Sequence, residues 1–349
     1  MDQNAFRHPT SPLEPMLQAV LASNPSFGFN KIDIITDRSN LRRLLRFASA
    51  QSQQDFEIII EVVNETVLFT RAENRPRSYI RSGQSGGYGF QFEKAFTKTP
   101  EAVKGSTGHH RIANYMMGGL NILLRFEVDG ALPHNVSQGS GSGSAPQAQN
   151  PTVVLPTPND PQSTNWAIMW PNGQSFQGPG HPSQGQWQGQ EVGGSPAATL
   201  GQQSARYTNL VIVKGGQLIH EQQTVELKTR AYSKDHGLQL QQYMAQLWFS
   251  NTRHLVFGMH KEGTFSKVKM HSLDDAAVMA WEETHQEQLG KLADLVRKIA
   301  ETAKSTTERT RLRCVKGILT METFHGQKFT FERLSEDLRQ KWATGTQRK

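Results

Sequence analysis

The spacing of hydrophobic positions divides the chain into short strands and amphipathic helices. Alternating β-branched and aromatic residues over 56–63 and 66–71 predict two strands joined by a turn at Asn64 and Glu65. Apolar residues at helical spacing predict helices over 41–47, 233–250 and 273–302, and further strands are predicted at 254–260, 312–319 and 328–331. This mixture predicts an α/β (α+β) protein in which mixed β-sheets are flanked by helices.

Two further strands carry charged residues on one face and apolar residues on the other. The strand predicted over 125–129 contains Glu127 and Asp129, and the strand predicted over 224–229 contains Glu226 and Lys228. Side chains two positions apart in a strand share a face, so each charged pair points the same way. Because unpaired carboxylates are costly to bury, charge opposite an apolar strand face indicates a site. If the strands are neighbours, these residues predict a divalent-metal site for the cleavage of phosphate esters.

The composition changes abruptly between the two acidic strands. Residues 131–205 are rich in Gly, Ser, Gln and Pro, and Asp160 and Glu191 are their only Asp, Glu, Lys or Arg residues. Such a composition predicts a disordered insertion, since little apolar surface is available for burial. An apolar island at 165–171 is either a local cluster packed on the domain or a docking motif for a partner. The predicted organisation begins with an irregular N-terminal segment over 1–27. A single catalytic domain follows in two parts, 28–130 and 206–343, which the insertion at 131–205 separates. A tail over 344–349 ends the chain.

Charge and cysteine content restrict the environment and the partners. The chain of 349 residues has a formal net charge of +7, a pI near 9.5 and a mean hydropathy of −0.57, with Cys314 as its only cysteine. A single cysteine excludes a disulfide framework and a cysteine metal cluster, which favours a reducing compartment. No signal peptide or membrane-spanning run is evident, so we expect a protein of the nucleus, the cytoplasm or both, with no membrane partner. The basic balance is compatible with a polyanionic ligand.

The acidic strands have the residue types of a metal-dependent phosphodiesterase. Oxygen ligands suit Mg²⁺ or Mn²⁺, and an ion held by Asp129 and Glu226 would polarise a phosphoryl oxygen and activate water. Lys228 would stabilise the developing charge. An acid followed by a Glu-x-Lys strand is typical of the PD-(D/E)XK nuclease group and predicts a core of that kind. Surface ion pairs on amphipathic strands are the alternative for either motif taken alone.

Three more motifs, in order along the chain, extend this pattern. Arg71 follows a strand, Glu93 ends a Gly-Phe-Gln-Phe-Glu run, and Gln246 lies on the helix after the second acidic strand. With these additions the chain resembles the decapping exoribonuclease (DXO) family and its RAI-type relatives, which hydrolyse RNA 5′ ends. The resemblance covers about residues 56–269 and is interrupted by the insertion, which that family usually lacks.

The resemblance assigns a role to each motif. It implies that Glu93, Asp129 and Glu226 bind one or two divalent ions with help from the Leu227 carbonyl. It implies catalytic roles for three side chains that position water or the scissile phosphate, Glu127, Lys228 and Gln246. The last two would also bind substrate, and Arg71 would hold an RNA phosphate. The implied reactions are removal of pyrophosphate from 5′-triphosphate RNA, release of a cap or an NAD cap, and 5′–3′ degradation.

Two alternatives to an RNA 5′-end hydrolase belong to different classes. The chain would be a non-catalytic partner if it bound and stabilised a 5′–3′ exoribonuclease through a surface edge or the apolar island. It would be a PD-(D/E)XK DNA nuclease if it did not discriminate the 2′-hydroxyl of RNA. The complete set of acidic residues argues against the non-catalytic role.

Overall fold

The computed structural model describes ten parts of the chain, which are residues 11–51, 54–72, 88–104, 106, 108–133, 210, 219–231, 240–306, 308–323 and 333–342. The island at 165–171, the strand predicted at 328–331 and most of the predicted insertion lie outside them. No helix within these ranges is long and apolar enough to cross a membrane.

A seven-stranded mixed sheet forms the larger layer. Its strands, in chain order, are β1 (Ile34–Asp37), β2 (Phe56–Val63), β3 (Thr66–Ala72), β4 (His110–Met117), β5 (Leu120–Glu127), β10 (Thr310–Val315) and β11 (Ile318–Thr323). They lie in the order β11-β10-β2-β3-β1-β5-β4, with β1 parallel to both β3 and β5 and the other pairs antiparallel. The carboxyl ends of β1, β3 and β5 therefore meet at one edge of this sheet.

A smaller mixed sheet holds the second acidic strand. It contains β6 (Gly130–Ala131), β7 (Thr224–Ala231), β8 (His254–Lys261) and β9 (Thr264–Ser272), in that order, with β7 and β8 parallel. β6 pairs with Thr224 and Val225, so the end of the first acidic strand and the second acidic strand are neighbours. One face of this sheet packs on helix α3 (Gly89–Phe96) through Phe92, Val225 and Val256.

The main core lies between the large sheet and the helices on one of its faces. These helices are α2 (Arg38–Ala48), α4 (Gln241–Phe249), α5 (Asp275–Thr284) and α6 (Gln286–Lys304). In α2 the leucines are buried while Arg46 is exposed, as the helical spacing predicts. Leu255 of the small sheet belongs to the same core, so residues from both sides of 134–218 are packed together. The predicted α/β class with helix-flanked mixed sheets is confirmed.

The opposite face of the large sheet is covered by the N-terminal helix. Helix α1 (Glu14–Ser23) buries Met16, Leu17 and Val20, and Leu13 just before it is also buried. The short helix α7 (Glu336–Arg339) contributes Leu338 to the same cluster. The prediction of an irregular segment over 1–27 was therefore wrong for residues 14–23. Pro15 was compatible with a helix because a proline in the first turn has no intrahelical partner to lose.

Two other predictions differ from the structure in their boundaries. The helix predicted over 273–302 is two helices that meet at His285, because the side chains of Thr284 and His285 bond back to the Trp281 carbonyl and end the first helix. The strand predicted over 312–319 is a hairpin of β10 and β11, which turns at Lys316 and Gly317, both with positive φ.

Candidate active site

The first acidic strand ends where the two sheets approach each other. β5 stops at Glu127, two residues earlier than predicted, and Asp129 lies in the connection to β6. The alternation continues through this connection, with Phe126 and Val128 buried and Glu127 exposed. The Val128 amide still bonds to the His109 carbonyl in register with the β4–β5 ladder, and the chain then crosses to the small sheet at β6. The carboxylates of Glu127 and Asp129 therefore lie at the junction between the two sheets.

Glu226 is the centre of the site. Its side chain on β7 is buried, with 2 % of the residue surface exposed. Arg38 Nη1 donates to Oε2 at 3.2 Å, and both Lys228 Nζ and Gln246 Nε2 donate to Oε1. The structure therefore brings together Glu226, Lys228 and Gln246, as the sequence predicted.

Asp129 reaches the same group from the other strand. Its Oδ2 accepts a hydrogen bond from the Leu227 amide at 2.8 Å and lies 3.7 Å from Lys228 Nζ. In a strand the N–H and C=O of one residue point to the same side, so the Leu227 carbonyl also faces away from β8 and toward Asp129. Leu227 is thus placed where its carbonyl can assist the carboxylates.

The two central carboxylates have opposite pKa shifts. Burial, followed by the negative charge of Glu226, raises the pKa of Asp129 to about 8. Burial also acts to raise the pKa of Glu226, but the charges of Arg38 and Lys228 outweigh it and hold that pKa below its usual range. Glu226 is therefore the ionised member of the pair near neutral pH, and Asp129 holds a proton unless another cation is present.

Glu93 and Glu127 complete the acidic group. Desolvation raises the pKa of Glu93, and the neighbouring Glu226 carboxylate raises it further against the opposing charge of Lys228. The pKa of Glu127 is also raised, first by desolvation and then by the charge of Glu93. The four carboxylates of the predicted motifs therefore lie close enough to oppose each other's ionisation.

Sequence reasoning missed Arg38, which holds the Glu226 carboxylate by a hydrogen bond. Besides Glu226, its guanidinium bonds Ser250 Oγ at 2.9 Å and the Glu127 carbonyl at 3.3 Å, and it lies 5.6 Å from the centre of the Phe126 ring. Arg38 is the first residue of α2, where a positive charge is unfavourable because of the helix dipole. The helix predicted from the sequence begins only at residue 41, so no local signal identifies Arg38.

Arg71 is farther from this group than the other motif residues. It lies near the end of β3, which runs parallel to β1, and β1 separates it from β5. Two strand spacings place it about 10 Å from the end of β5 along the same edge. Arg71 therefore lies at the same edge of the large sheet as the end of β5. Its role as a phosphate ligand stays a prediction.

The donor set suits a hard divalent cation. It consists of carboxylate and carbonyl oxygens, and the raised pKa of Asp129 reports a surplus of negative charge that a cation would relieve. Within the described residues, no three histidine, cysteine, aspartate or glutamate side chains lie close enough to hold an ion as they stand. Lys228 Nζ contacts both Asp129 and Glu226, so an ion binding there would compete with this ammonium.

Solved structures with the same fold include Rai1 proteins from two organisms. Scheffersomyces stipitis Rai1, in complex with (3′-NADP)⁺ and a calcium ion, is 12 % identical and has a TM-score of 0.51, covering 95 % of this chain and 79 % of that one. Candida albicans Rai1, in complex with pU5 and Mn²⁺, is 11 % identical and has a TM-score of 0.52, covering 94 % of this chain and 80 % of that one. The fold implied by the decapping-exoribonuclease resemblance is confirmed.

Sequence comparison gives a family but no activity. No curated protein sequence matches the chain. A family model described as "Domain of unknown function (DUF8563)" matches residues 1–175 and 193–320, which is well over half of the chain. This protein therefore belongs to the DUF8563 family.

Proposed function

We propose that this protein is a divalent-metal-dependent hydrolase of RNA 5′ ends. The observation that carries the proposal is the convergence of Glu226, Asp129, Lys228 and Gln246 at the junction of two sheets. The shared fold supports the substrate class, since the two Rai1 structures hold a nucleotide with calcium and a 5′-phosphorylated oligouridine with manganese.

Glu93, Asp129, Glu226 and the Leu227 carbonyl are the proposed ligands of Mg²⁺ or Mn²⁺. Bound there, the ion would polarise a phosphoryl oxygen and lower the pKa of water. The hydrogen bond from the Leu227 amide fixes Asp129 Oδ2, and the bond from Arg38 fixes Glu226 Oε2. These bonds hold both carboxylates in place while the substrate changes.

The remaining polar side chains act on the substrate and on water. Lys228 carries a positive charge that would stabilise the charge developing on the phosphate. The Gln246 amide would orient the phosphate or the attacking water, and Glu127, with its raised pKa, would accept a proton from that water. Arg71 would hold an RNA phosphate at the same edge of the large sheet through a planar guanidinium.

The proposed reactions are pyrophosphate release from 5′-triphosphate RNA and release of a cap or an NAD cap, followed by 5′–3′ degradation. All of them require hydrolysis of a phosphate bond next to the RNA 5′ end, which one metal site can perform. The preferred end is a property of the pocket that surrounds the carboxylates.

Glu226→Gln tests the assignment because it keeps the shape of the side chain and removes its charge. With Mn²⁺ and a panel of 5′-triphosphate, capped and NAD-capped RNAs, we expect the rate of end-group release to fall more than about 100-fold, since loss of an outer partner alone costs 10–100-fold. Glu301→Gln, at an exposed position on α6, is the matched control and should retain full activity.

Three outcomes would contradict the proposal, of which one refutes the assigned site and two favour the other classes of function. Equal turnover in Glu226→Gln and the wild type would refute the assigned site. Absence of turnover in the wild type, together with co-purification of a 5′–3′ exoribonuclease, would support the non-catalytic partner. Comparable cleavage of single-stranded DNA would point to a DNA nuclease.

A further inference from the structure

The face of the small sheet that carries Glu226 also carries a group of basic residues. Residues paired across strands point to the same side of a sheet. The register pairs Lys228 with Phe257 and then Lys269, and it pairs Arg230 with Met259 and then Lys267. Arg230, Lys267 and Lys269 therefore lie on the face of Glu226 and Lys228; we call these three residues the basic face.

The basic face begins next to the candidate active site. Arg230 follows Lys228 by two residues, which is about 6.6 Å along the strand, and Lys267 lies two strands, or about 10 Å, across from Arg230. Both Lys267 and Lys269 are exposed. Tyr243 of α4 covers Phe257 between Lys228 and Lys269, whereas Met259 between Arg230 and Lys267 is only half-buried. The open route from Lys228 therefore leads over Arg230 and Met259 to the lysines of β9.

Arg230 gives an independent indication of a ligand. Its Nη1 atom is buried and has no hydrogen-bond partner within the part of the chain that the structure describes. A buried donor of a charged group without a partner costs more than a neutral one, so native proteins usually provide an acceptor. A phosphate oxygen is a suitable acceptor for a guanidinium.

Protection of a sheet edge explains only part of this arrangement. β9 is an edge strand, and lysines on edge strands discourage pairing between molecules. That role needs no arginine two strands away on β7 with a buried Nη1. Edge protection would also work if the charges lay on the other face of the sheet, which packs on α3. It therefore does not explain why they share the face of Lys228.

We propose that the basic face binds the phosphates of the nucleotides that follow the 5′ end of a single-stranded RNA. This inference rests on the proposed function for the direction of the RNA, because the 5′ end would lie at Glu226 and the next phosphates at Arg230 and beyond. Phosphate contacts of this kind add affinity with each nucleotide and carry no sequence preference. The face would therefore favour long RNAs over isolated nucleotides.

The test compares short and long ligands in the absence of turnover. Fluorescence anisotropy in the presence of a chelator measures binding of 5′-triphosphorylated oligoribonucleotides of two and ten residues. The test protein carries Arg230→Gln with Lys269→Gln. The control carries Lys291→Gln with Lys298→Gln on exposed turns of α6 and loses the same charge.

We expect the test protein to bind the ten-residue RNA about tenfold more weakly, with a salt slope smaller by about 1.4, as for two lost phosphate contacts. Binding of the two-residue RNA, whose single internucleotide phosphate would reach only Arg230, should weaken clearly less, and the control should match the wild type with both ligands. A conservative pair, Arg230→Lys with Lys269→Arg, should restore the long-RNA affinity and exclude a folding defect.

Equal weakening in the test and control proteins, or equal weakening for both RNA lengths, would overturn the proposal. An acidic polyglutamate that binds as tightly as the long RNA and is lost with the same variants would assign the face to a protein partner instead. Because binding is measured without hydrolysis, an RNA length effect would stand even if the proposed 5′-end hydrolysis failed.

Discussion

Asp37 and Arg38 are adjacent in the chain but belong to two different buried ionic groups. Asp37 pairs with Arg125 through two hydrogen bonds, Nε to Oδ1 at 2.6 Å and Nη2 to Oδ2 at 3.0 Å. The third arm of Arg125 donates to the Pro12 carbonyl at 2.7 Å, next to the N-terminal helix. One carboxylate meets one guanidinium in a bidentate geometry, and the pair ties β1, β5 and the N-terminal segment together.

Arg38 belongs to a group in which the carboxylates outnumber the cations. Glu226, Asp129, Glu93 and Glu127 share this region with Arg38 and Lys228, and the pKa values of three of the four carboxylates are raised. A balanced pair contributes to the fold, whereas a surplus of one charge costs free energy and persists where a ligand of the opposite charge is bound. This difference in charge balance distinguishes the structural ion pair of Asp37 from the candidate active site that contains its neighbour Arg38.

Loss of the balanced pair should give the largest effect on stability. Asp37→Asn leaves the buried Arg125 without its charged partner, and we expect the free energy of unfolding to fall by about 3–5 kcal/mol. Urea unfolding followed by circular dichroism measures the change. Activity per folded molecule should be retained, because the Asp37 carboxylate bonds Arg125 and is not one of the four carboxylates of the candidate active site. An inactive but fully stable variant would show that the two groups are one.

Loss of Arg38 should instead act on catalysis. Arg38→Gln frees the Glu226 carboxylate from its guanidinium, and we expect kcat/KM to fall about 10–100-fold, as for loss of an outer partner of a metal ligand. The variant should also raise the pKa of Glu226, since Arg38 is the leading cause that lowers it. The acid limb of the pH–rate profile should therefore move to higher pH.

Arg46→Gln is the control for that shift. Arg46 is exposed on the same helix, so this variant removes the same charge and leaves Glu226 bonded. Its pH–rate profile should overlay that of the wild type. A shift of equal size in both variants would mean that general charge, rather than the bond to Glu226, sets the acid limb.

The raised pKa of Asp129 predicts a smaller effect, which is pH-dependent metal binding. With a pKa of about 8, Asp129 is protonated at pH 7 and, as a proposed metal ligand, would have to release that proton on binding an ion. The affinity for Mn²⁺ should therefore increase about tenfold per pH unit below pH 8 and become constant above it. Titration calorimetry in buffers of different ionisation enthalpy should show about one proton released per ion at pH 7. No release at pH 7 would remove Asp129 from the proposed metal ligands.

The sequence predicted the parts of the site whose signal is local. Glu127, Glu226 and Lys228 lie on strand faces that two-residue periodicity identifies, and Gln246 lies beside an apolar helix face. The ordered motifs then led to the fold, which the Rai1 structures confirm. The wrong boundaries also have local causes, such as the side-chain bonds at Thr284 and His285 that break one helix into two.

Arg38 could not be assigned from the sequence because its role depends on distant partners. It bonds Glu226 and Ser250, which are 188 and 212 positions away in the chain. Helix α1 was missed for a different reason, since the prolines within 1–27 indicate an irregular segment although the spacing of Leu13, Met16, Leu17 and Val20 is helical. Pairing of Asp37 with Arg125 likewise depends on the parallel register of β1 and β5, which no local pattern specifies.

Loss of an exposed ion pair should have the smallest effect on stability and activity, and it serves as the reference for the two buried groups. Glu287 and Lys291 lie one turn apart on α6 with Nζ 2.6 Å from Oε1, and the side chain of Lys291 is 56 % exposed. Water and salt screen such a pair, so its net contribution is close to nothing. Lys291→Gln should leave both the melting temperature and the rate of end-group release unchanged within error. A loss of stability comparable to that of Asp37→Asn would show that geometry alone, without burial, determines the strength of ion pairs in this fold.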